Sequence, residues 1–130
     1  MCEIIEALKA APDYIGSTGR TEEEIRNSEE LIGVEFAADY RYYLKAIGLA
    51  CFDGHELTGI CNSVRLNVAD ATIAQRKLYP EAGSWYVIEE ANIDGIVIWQ
   101  APAGNIYETA PGIKARKCCN SLTEYIKVLC

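Results

Sequence analysis

The apolar positions of the first segment recur at the spacing of an α-helix. Ile4 and Leu8 lie four residues apart, and Pro12 ends the pattern. The run that follows, G-S-T-G at residues 16–19, is made of small and polar residues. Such a composition is typical of a linker. The chain is therefore predicted to begin with a helix that is followed by a short flexible joint.

Two further helices are predicted before residue 50. Thr21 and Glu24 have the spacing of a capping box, in which each side chain bonds a backbone N–H that the helix leaves unpaired. Gly33 is well suited to end this helix in the left-handed conformation. The next helix ends at Gly48 and carries an apolar stripe at positions i, i+3, i+4 and i+7. The stripe consists of Tyr40, Tyr43, Leu44 and Ile47.

The second half of the chain has the pattern of strands joined by turns. Residues 84–90 and 95–101 are rich in β-branched and aromatic side chains, and Asp94-Gly95 between them is a strong hairpin signal. A third antiparallel strand is predicted at 106–109. We therefore expect an antiparallel meander.

Two more helices flank these strands. One begins near Asn67 and ends before Pro80. The other begins with a second capping box, formed by Ser121 and Glu124. Its apolar stripe consists of Leu122, Tyr125, Ile126 and Leu129.

Helices first, then strands, then a closing helix predict the α+β class, with several helices packed on one face of an antiparallel sheet. A chain of 130 residues fits one domain. We expect a single domain over 1–130, in which 1–20 form the N-terminal helix and joint and 21–130 form the core.

The net charge of the chain limits the kinds of molecule that it can be expected to bind. The formal charge is −7, and it lies entirely in residues 1–60, where twelve acids face five bases; residues 61–130 hold seven of each. An acidic surface repels phosphate groups, so we expect neither direct nucleic-acid binding nor membrane binding. It attracts and steers a basic protein.

The chain is rich in cysteine, but the spacing is irregular. The N-terminus lacks the basic and apolar regions of a signal peptide, and no apolar run reaches the roughly 20 residues of a membrane span. We therefore expect a cytoplasmic protein with reduced cysteines, most of them buried as small hydrophobes. The cysteines are Cys2, Cys51, Cys61, Cys118, Cys119 and Cys130.

The segment from Cys51 to Cys61 resembles an active site, because it holds the single histidine, His55. Zinc motifs pair their ligands two to four residues apart, whereas these cysteines are ten apart. Asp53-Gly54 predicts a turn, which prevents Cys51 and His55 from sharing a helical face. We interpret the segment as a loop that leads into a strand and expect no metal, cofactor or thiol catalysis.

Paired carboxylates offer a second route to catalysis. Glu89 and Glu90 are successive strand residues, so they face opposite sides and cannot share a substrate; we expect a solvated strand end. Trp85 and Trp99 lie in apolar strands and are predicted to pack in the core. The chain is thus predicted to be a binding module and not an enzyme.

The helical region resembles the signature of the SUKH superfamily, roughly I-x-x-x-E-x-x-L-G-x-x-L-P-x-x-Y-x-x-F-L. The matching positions are Ile25, Glu29, Ile32, Gly33, Phe36, Tyr40, Tyr43 and Leu44. The proline of the signature is replaced by Ala37, which should weaken the start of a helix without changing the fold. Residues 56–60, 104–107 and 121–126 resemble later segments of the family, so that the likeness covers about 21–129.

The resemblance implies a SUKH-like α+β fold and, as in most bacterial members, an immunity protein that neutralises the toxin domain of a polymorphic or contact-dependent toxin, often a nuclease. The alternative is a regulatory scaffold with a non-toxin partner; a third hypothesis is an enzyme acting through Cys51 or His55. The residues predicted to contact a basic toxin are Asp53, His55, Glu56, Glu89, Glu90, Asp94 and Tyr42. Glu29, an acid that the family keeps, is expected either to line a shared groove or to bond a nearby loop.

Overall fold

The computed structural model describes residues 2–91 and 93–129, apart from the side chain of Cys2. The helices are α1 (Cys2–Ala10), α2 (Glu22–Ile32), α3 (Ala38–Ala46), α4 (Val68–Leu78) and α5 (Leu122–Leu129), with a short 3-10 helix at Pro80–Ala82. The strands are β1 (Ile15–Gly16), β2 (Ala50–Phe52), β3 (His55–Glu56), β4 (Tyr86–Glu90), β5 (Val97–Gln100), β6 (Ile106–Ala110) and β7 (Ile113–Cys119).

The predicted helix ends of α2 are present in the structure. The side chain of Thr21 accepts a hydrogen bond from the Glu24 N–H, and the Glu24 carboxylate accepts one from the Thr21 N–H. At the other end Gly33 has a φ of 73°, a left-handed conformation that favours glycine. Local chemistry therefore defines both ends of this helix.

The strands form two antiparallel sheets, ordered β1-β2-β3 and β4-β5-β6-β7. A bridge between Leu57 and Glu89 joins them, so that the segment after β3 runs beside β4. The α+β class is confirmed. Strand β7 is not among the three predicted strands, because exposed lysine and arginine side chains interrupt any apolar alternation there.

The larger sheet is covered more fully than expected. Its inner face packs on the main core with α1, α2, α3 and α5, while a smaller cluster lies on its outer face. Val87 and Trp99 are cross-strand partners in this second cluster, and Ala71 of α4 packs beside them. Val68 of the same helix lies in the main core. Helix α4 thus lies along the β4 edge and contributes to both faces.

The prediction of a flexible joint at 16–19 is wrong. Gly16 pairs with Ala50 in the smaller sheet, and the Ser17 N–H donates to the carbonyl of Leu49 over 2.9 Å. A Cβ atom on Gly19 would lie 1.9 Å from the Lys45 carbonyl oxygen. The small residues are needed because this segment lies tightly against the end of α3.

The first part of the segment from Cys51 to Cys61, up to Glu56, belongs to a β-hairpin, so the prediction of a loop before a strand is wrong there. Strands β2 and β3 pair with Phe52 opposite His55. Asp53 and Gly54 between them have φ values of 46° and 80°, which is typical of a two-residue hairpin turn. The predicted turn is therefore confirmed, with strands on both of its sides.

The cysteines are less buried than expected. The four described thiols are unpaired, but Cys119 alone among them is buried; Cys51 and Cys61 are half-buried and Cys118 is exposed. Cys130 and the side chain of Cys2 lie outside the described residues.

Asp39 holds the last helix against the sheet. Its Oδ2 accepts the Leu122 N–H at the start of α5 over 2.8 Å, and its Oδ1 accepts from Gln100 Nε2 over 3.0 Å. Gln100 is fully buried in β5 and also accepts from the Tyr86 hydroxyl over 2.6 Å. This chain of bonds fixes the start of α5 against the larger sheet.

Candidate functional site

A cleft of about 580 Å³ opens beside the inner face of the larger sheet. The tip of the β2–β3 hairpin forms one wall, and the end of α5 forms another. Its floor includes one complete cross-strand row of the sheet, because the four partners in register all line the cleft. From β4 to β7 the row consists of Glu89, Ile98, Glu108 and Arg116.

Glu89 is the buried acid of this row. The register between β4 and β5 shifts between Val87 and Glu89, as at a β-bulge. Ile88 lies in the main core, and after the shift Glu89 also lies on the inner face, opposite Ile98. Its side chain is 3% exposed. Burying a carboxylate is costly unless hydrogen bonds satisfy it, so the stability of this site depends on the hydrogen-bond partners of Glu89.

The carboxylate of Glu89 accepts from two side chains. His55 Nδ1 lies 2.8 Å from Oε2 of Glu89. This nitrogen carries a proton, and can donate it to the carboxylate, in the neutral Nδ1–H tautomer and in the imidazolium ion. The Tyr125 hydroxyl donates to Oε1. The pKa of Tyr125 is raised, mainly by burial and secondly by the charge of Glu89. Its hydroxyl therefore keeps its proton and remains a donor. The hairpin, the sheet and α5 are thus joined at one carboxylate.

The cleft is acidic and partly apolar. Four carboxylates line it against one guanidinium, and Arg116 is already paired with Glu108 over 3.1 Å. The other carboxylates belong to Asp53, Glu89 and Glu124. Two exposed apolar side chains, Ile93 (63% exposed) and Val128 (71%), also line the cleft. The arrangement suits a cationic partner that also presents apolar surface.

Three of the predicted contact residues, Asp53, His55 and Glu89, meet in this cleft. The expected solvated state of Glu89 is wrong, because the register shift turns this side chain inward. Glu90 is half-buried and pairs with Val97, whose side chain lies in the outer cluster. The two glutamates therefore face opposite sides, as predicted.

The remaining predicted residues lie outside the cleft. Glu56 forms an ion pair with Arg65 over 2.9 Å and lines a small pocket of about 140 Å³. Asp94 is exposed in the turn between β4 and β5, with a φ of 52°. Tyr42 is half-buried and packs against the main core. Asp94 and Glu56 therefore place negative charge at or near the surface. Part of the Tyr42 side chain is instead in contact with the main core.

Glu29 makes a bond to a nearby loop and also lines a groove. It is buried, and its Oε2 accepts from the Phe36 N–H over 2.8 Å, which fixes the segment between α2 and α3. Its Oε1 accepts from Arg41 over 2.8 Å. Both Glu29 and Arg41 also line a groove of about 540 Å³, which is a different surface from the cleft around His55.

Sequence reasoning missed Tyr125, Glu108 and Arg116. The sequence pattern places Tyr125 in the apolar stripe of α5, and its ring is indeed buried. A tyrosine in place of leucine at such a position is itself a signal, because its buried hydroxyl needs a partner. The two charged residues give no comparable signal, since their place depends on strand register.

The hairpin separates the two residues of the enzyme hypothesis. His55 lines the cleft, whereas Cys51 lines the small pocket with Glu56. Burial, and then the nearby Glu108 carboxylate, raise the pKa of the Cys118 thiol in the cleft, which disfavours the nucleophilic thiolate. Within residues 2–91 and 93–129 no three side chains of histidine, cysteine or acid types are grouped to hold a metal ion.

Comparison with protein families gives a match over most of the chain. The family model SUKH_5, described as SMI1-KNR4 cell-wall, matches residues 1–127. A search of curated proteins found no match. As regards membranes, none of the helices in the described part of the chain has the length and apolar character needed to cross a bilayer.

Proposed function

Because the chain belongs to the SUKH family described as SMI1-KNR4 cell-wall, we propose that it is an immunity protein that neutralises a cognate toxin domain by binding it. The contact is made between proteins and needs no chemistry from this chain. Occupying the surface of a toxin is sufficient to block its access to a substrate.

The observation that carries the proposal is the cleft over the row from Glu89 to Arg116. Its carboxylates outnumber its guanidinium by four to one, and it offers exposed apolar side chains beside them. A domain that acts on nucleic acid needs a cationic surface to approach phosphates. Such a surface is complementary to this cleft, and the complementarity increases the association rate.

The predicted contact residues have different roles in this proposal. Asp53 and His55 touch the partner directly, and Glu89 acts from behind His55 by fixing the orientation of its ring. Glu56, Glu90 and Asp94 contribute charge that steers a basic partner. Tyr42 and Glu29 lie on other surfaces, so the proposal gives neither of them a contact in the cleft.

The test is co-expression with the toxin domain encoded by the neighbouring gene, with growth rescue and complex formation scored together. We expect rescue and a stable complex. The double variant Asp53→Asn, Glu124→Gln removes two cleft charges and should lower affinity about tenfold, with the difference shrinking in high salt. The matched control Glu6→Gln, Glu23→Gln removes two exposed charges elsewhere and should bind nearly as the parent does.

Absence of both rescue and complex would exclude the immunity function for that pair. Rescue with an unchanged affinity in the cleft variant would place the interface elsewhere on the protein. An isolated gene, with no toxin beside it, would favour the regulatory scaffold instead.

A further inference from the structure

The larger sheet has two outer strands, and one of them is closed by other parts of the chain. On β4, the Ile88 carbonyl accepts from the Thr58 N–H over 2.8 Å. The Val87 N–H donates to Thr72 Oγ1 over 3.0 Å, and the Val87 carbonyl accepts from the Thr58 hydroxyl. Backbone groups on this side of β4 therefore have partners within the chain.

The other outer strand, β7, is open. It spans the seven residues Ile113–Cys119, and among the described residues β6 is the one strand paired with it. Most of its side chains are exposed, including Ile113 and Cys118. An open edge of this length presents a row of N–H and C=O groups that can pair with another extended chain.

The open strand is also cationic. It carries three basic side chains and no acid, in a protein whose net charge is −7. Arg116 is paired with Glu108, but within the described residues neither Lys114 nor Lys117 forms an ion pair. These two lysines leave the edge with positive charge that the chain does not neutralise.

We propose that the open edge of β7 binds an extended acidic segment of another protein, which adds to the sheet as a further strand. Main-chain hydrogen bonds hold such a strand, and the lysines select its charge. A second copy of this chain is a poor occupant, because two β7 strands would place like charges opposite each other. The same lysines thus oppose self-association and favour an acidic partner. This site does not depend on the immunity function.

The probe is a peptide of about nine residues in which glutamate alternates with valine and threonine. Its control has lysine in place of each glutamate. Binding to the whole chain is measured by fluorescence anisotropy, and the site is mapped by amide hydrogen–deuterium exchange. The variant Lys114→Glu, Lys117→Glu is compared with Lys9→Glu, Lys77→Glu, which makes the same charge change at exposed positions on α1 and α4.

We expect the acidic peptide to bind at least about tenfold more tightly than the basic one and to slow exchange in β7. The Lys114, Lys117 variant should lose about tenfold in affinity, whereas the Lys9, Lys77 variant should lose much less. The proposal is overturned by no binding of the acidic peptide, by equal loss in both variants, by protection outside β7, or by self-association of the chain through β7.

Discussion

At Ala37 the chain has a side chain that cannot cap a helix, yet its backbone is firmly held. The residue is the N-cap of α3, has a φ of −62°, and makes no side-chain capping bond. Its N–H instead donates to the buried hydroxyl of Tyr86 over 2.8 Å. The proline of the family signature could adopt this φ but has no N–H to donate. Alanine therefore preserves a bond that proline would remove.

Replacing Ala37 with proline tests this account. The missing bond and the buried oxygen left behind should cost about 1–3 kcal/mol. The lower entropy of the unfolded chain offsets about 0.4–1 kcal/mol of that. We expect Ala37→Pro to lower the free energy of unfolding by about 1 kcal/mol in urea titrations.

The control is the same change in a Tyr86→Phe background, where the hydroxyl is absent. There Ala37→Pro should be neutral or slightly stabilising. An equal loss in both backgrounds would show that steric strain, and not the hydrogen bond, decides the preference for alanine.

Glu89 allows a second test on a single residue. Glu89→Ala leaves the buried Tyr125 hydroxyl and the His55 ring without their acceptor. We expect a loss of about 2–3 kcal/mol in the free energy of unfolding. Glu90→Ala, one position along the same strand, is the control and should cost about 0.5 kcal/mol or less. Similar losses in the two variants would contradict the bonding described for Glu89.

Among the elements, those with local determinants could be predicted from the sequence. Helix α2 has its capping box and its terminal Gly33, and the Asp53-Gly54 turn has its own signal, so neighbours in the chain decide each of them. The inward turn of Glu89 could not be predicted, because it depends on a register shift against β5. The row that floors the cleft needs the register of four strands, which is a property of the assembled sheet.

The start of α2 makes stability depend on pH. The hydrogen bond from the Thr21 N–H holds the pKa of Glu24 below its ordinary value of about 4.5 in the folded state. The unfolded state therefore binds a proton more readily, so this contribution is present above about pH 4.5 and is lost as pH falls through the lower folded pKa. We expect Glu24→Gln to reduce the loss of stability between about pH 6 and pH 3, as followed by urea unfolding.

Glu23→Gln is the matched control, because Glu23 is an exposed acid in the same first turn. It should leave the pH dependence close to that of the parent. An identical pH dependence for the Glu24 variant and the parent would exclude the capping box as its source.

For the whole molecule, α1 belongs to the same core as the rest of the chain. Leu8 is fully buried and packs in the main cluster with Leu122 and Ile126 of α5. We therefore propose that residues 1–130 unfold as one domain. Leu8→Ala should cost about 2–4 kcal/mol by leaving a cavity, with coincident transitions in circular dichroism and tryptophan fluorescence. Val128→Ala, at an exposed position on α5, is the control for a lost side chain.

A separate early transition for α1, with the sheet still folded, would divide the chain into two cooperative units. A loss for Leu8→Ala no larger than for Val128→Ala would also contradict the assignment of α1 to the core.

The packing of α1 against α5 has a consequence for synthesis. Lys127 and Glu3 form an ion pair across almost the whole chain, over 3.0 Å, and the two helices share one core. At about 5–20 residues per second, the ribosome makes α5 roughly 6 s or more after α1. Until then Ile4 and Leu8 have no α5 to pack against. Helix α1 therefore reaches its native packing only after α5 has been translated.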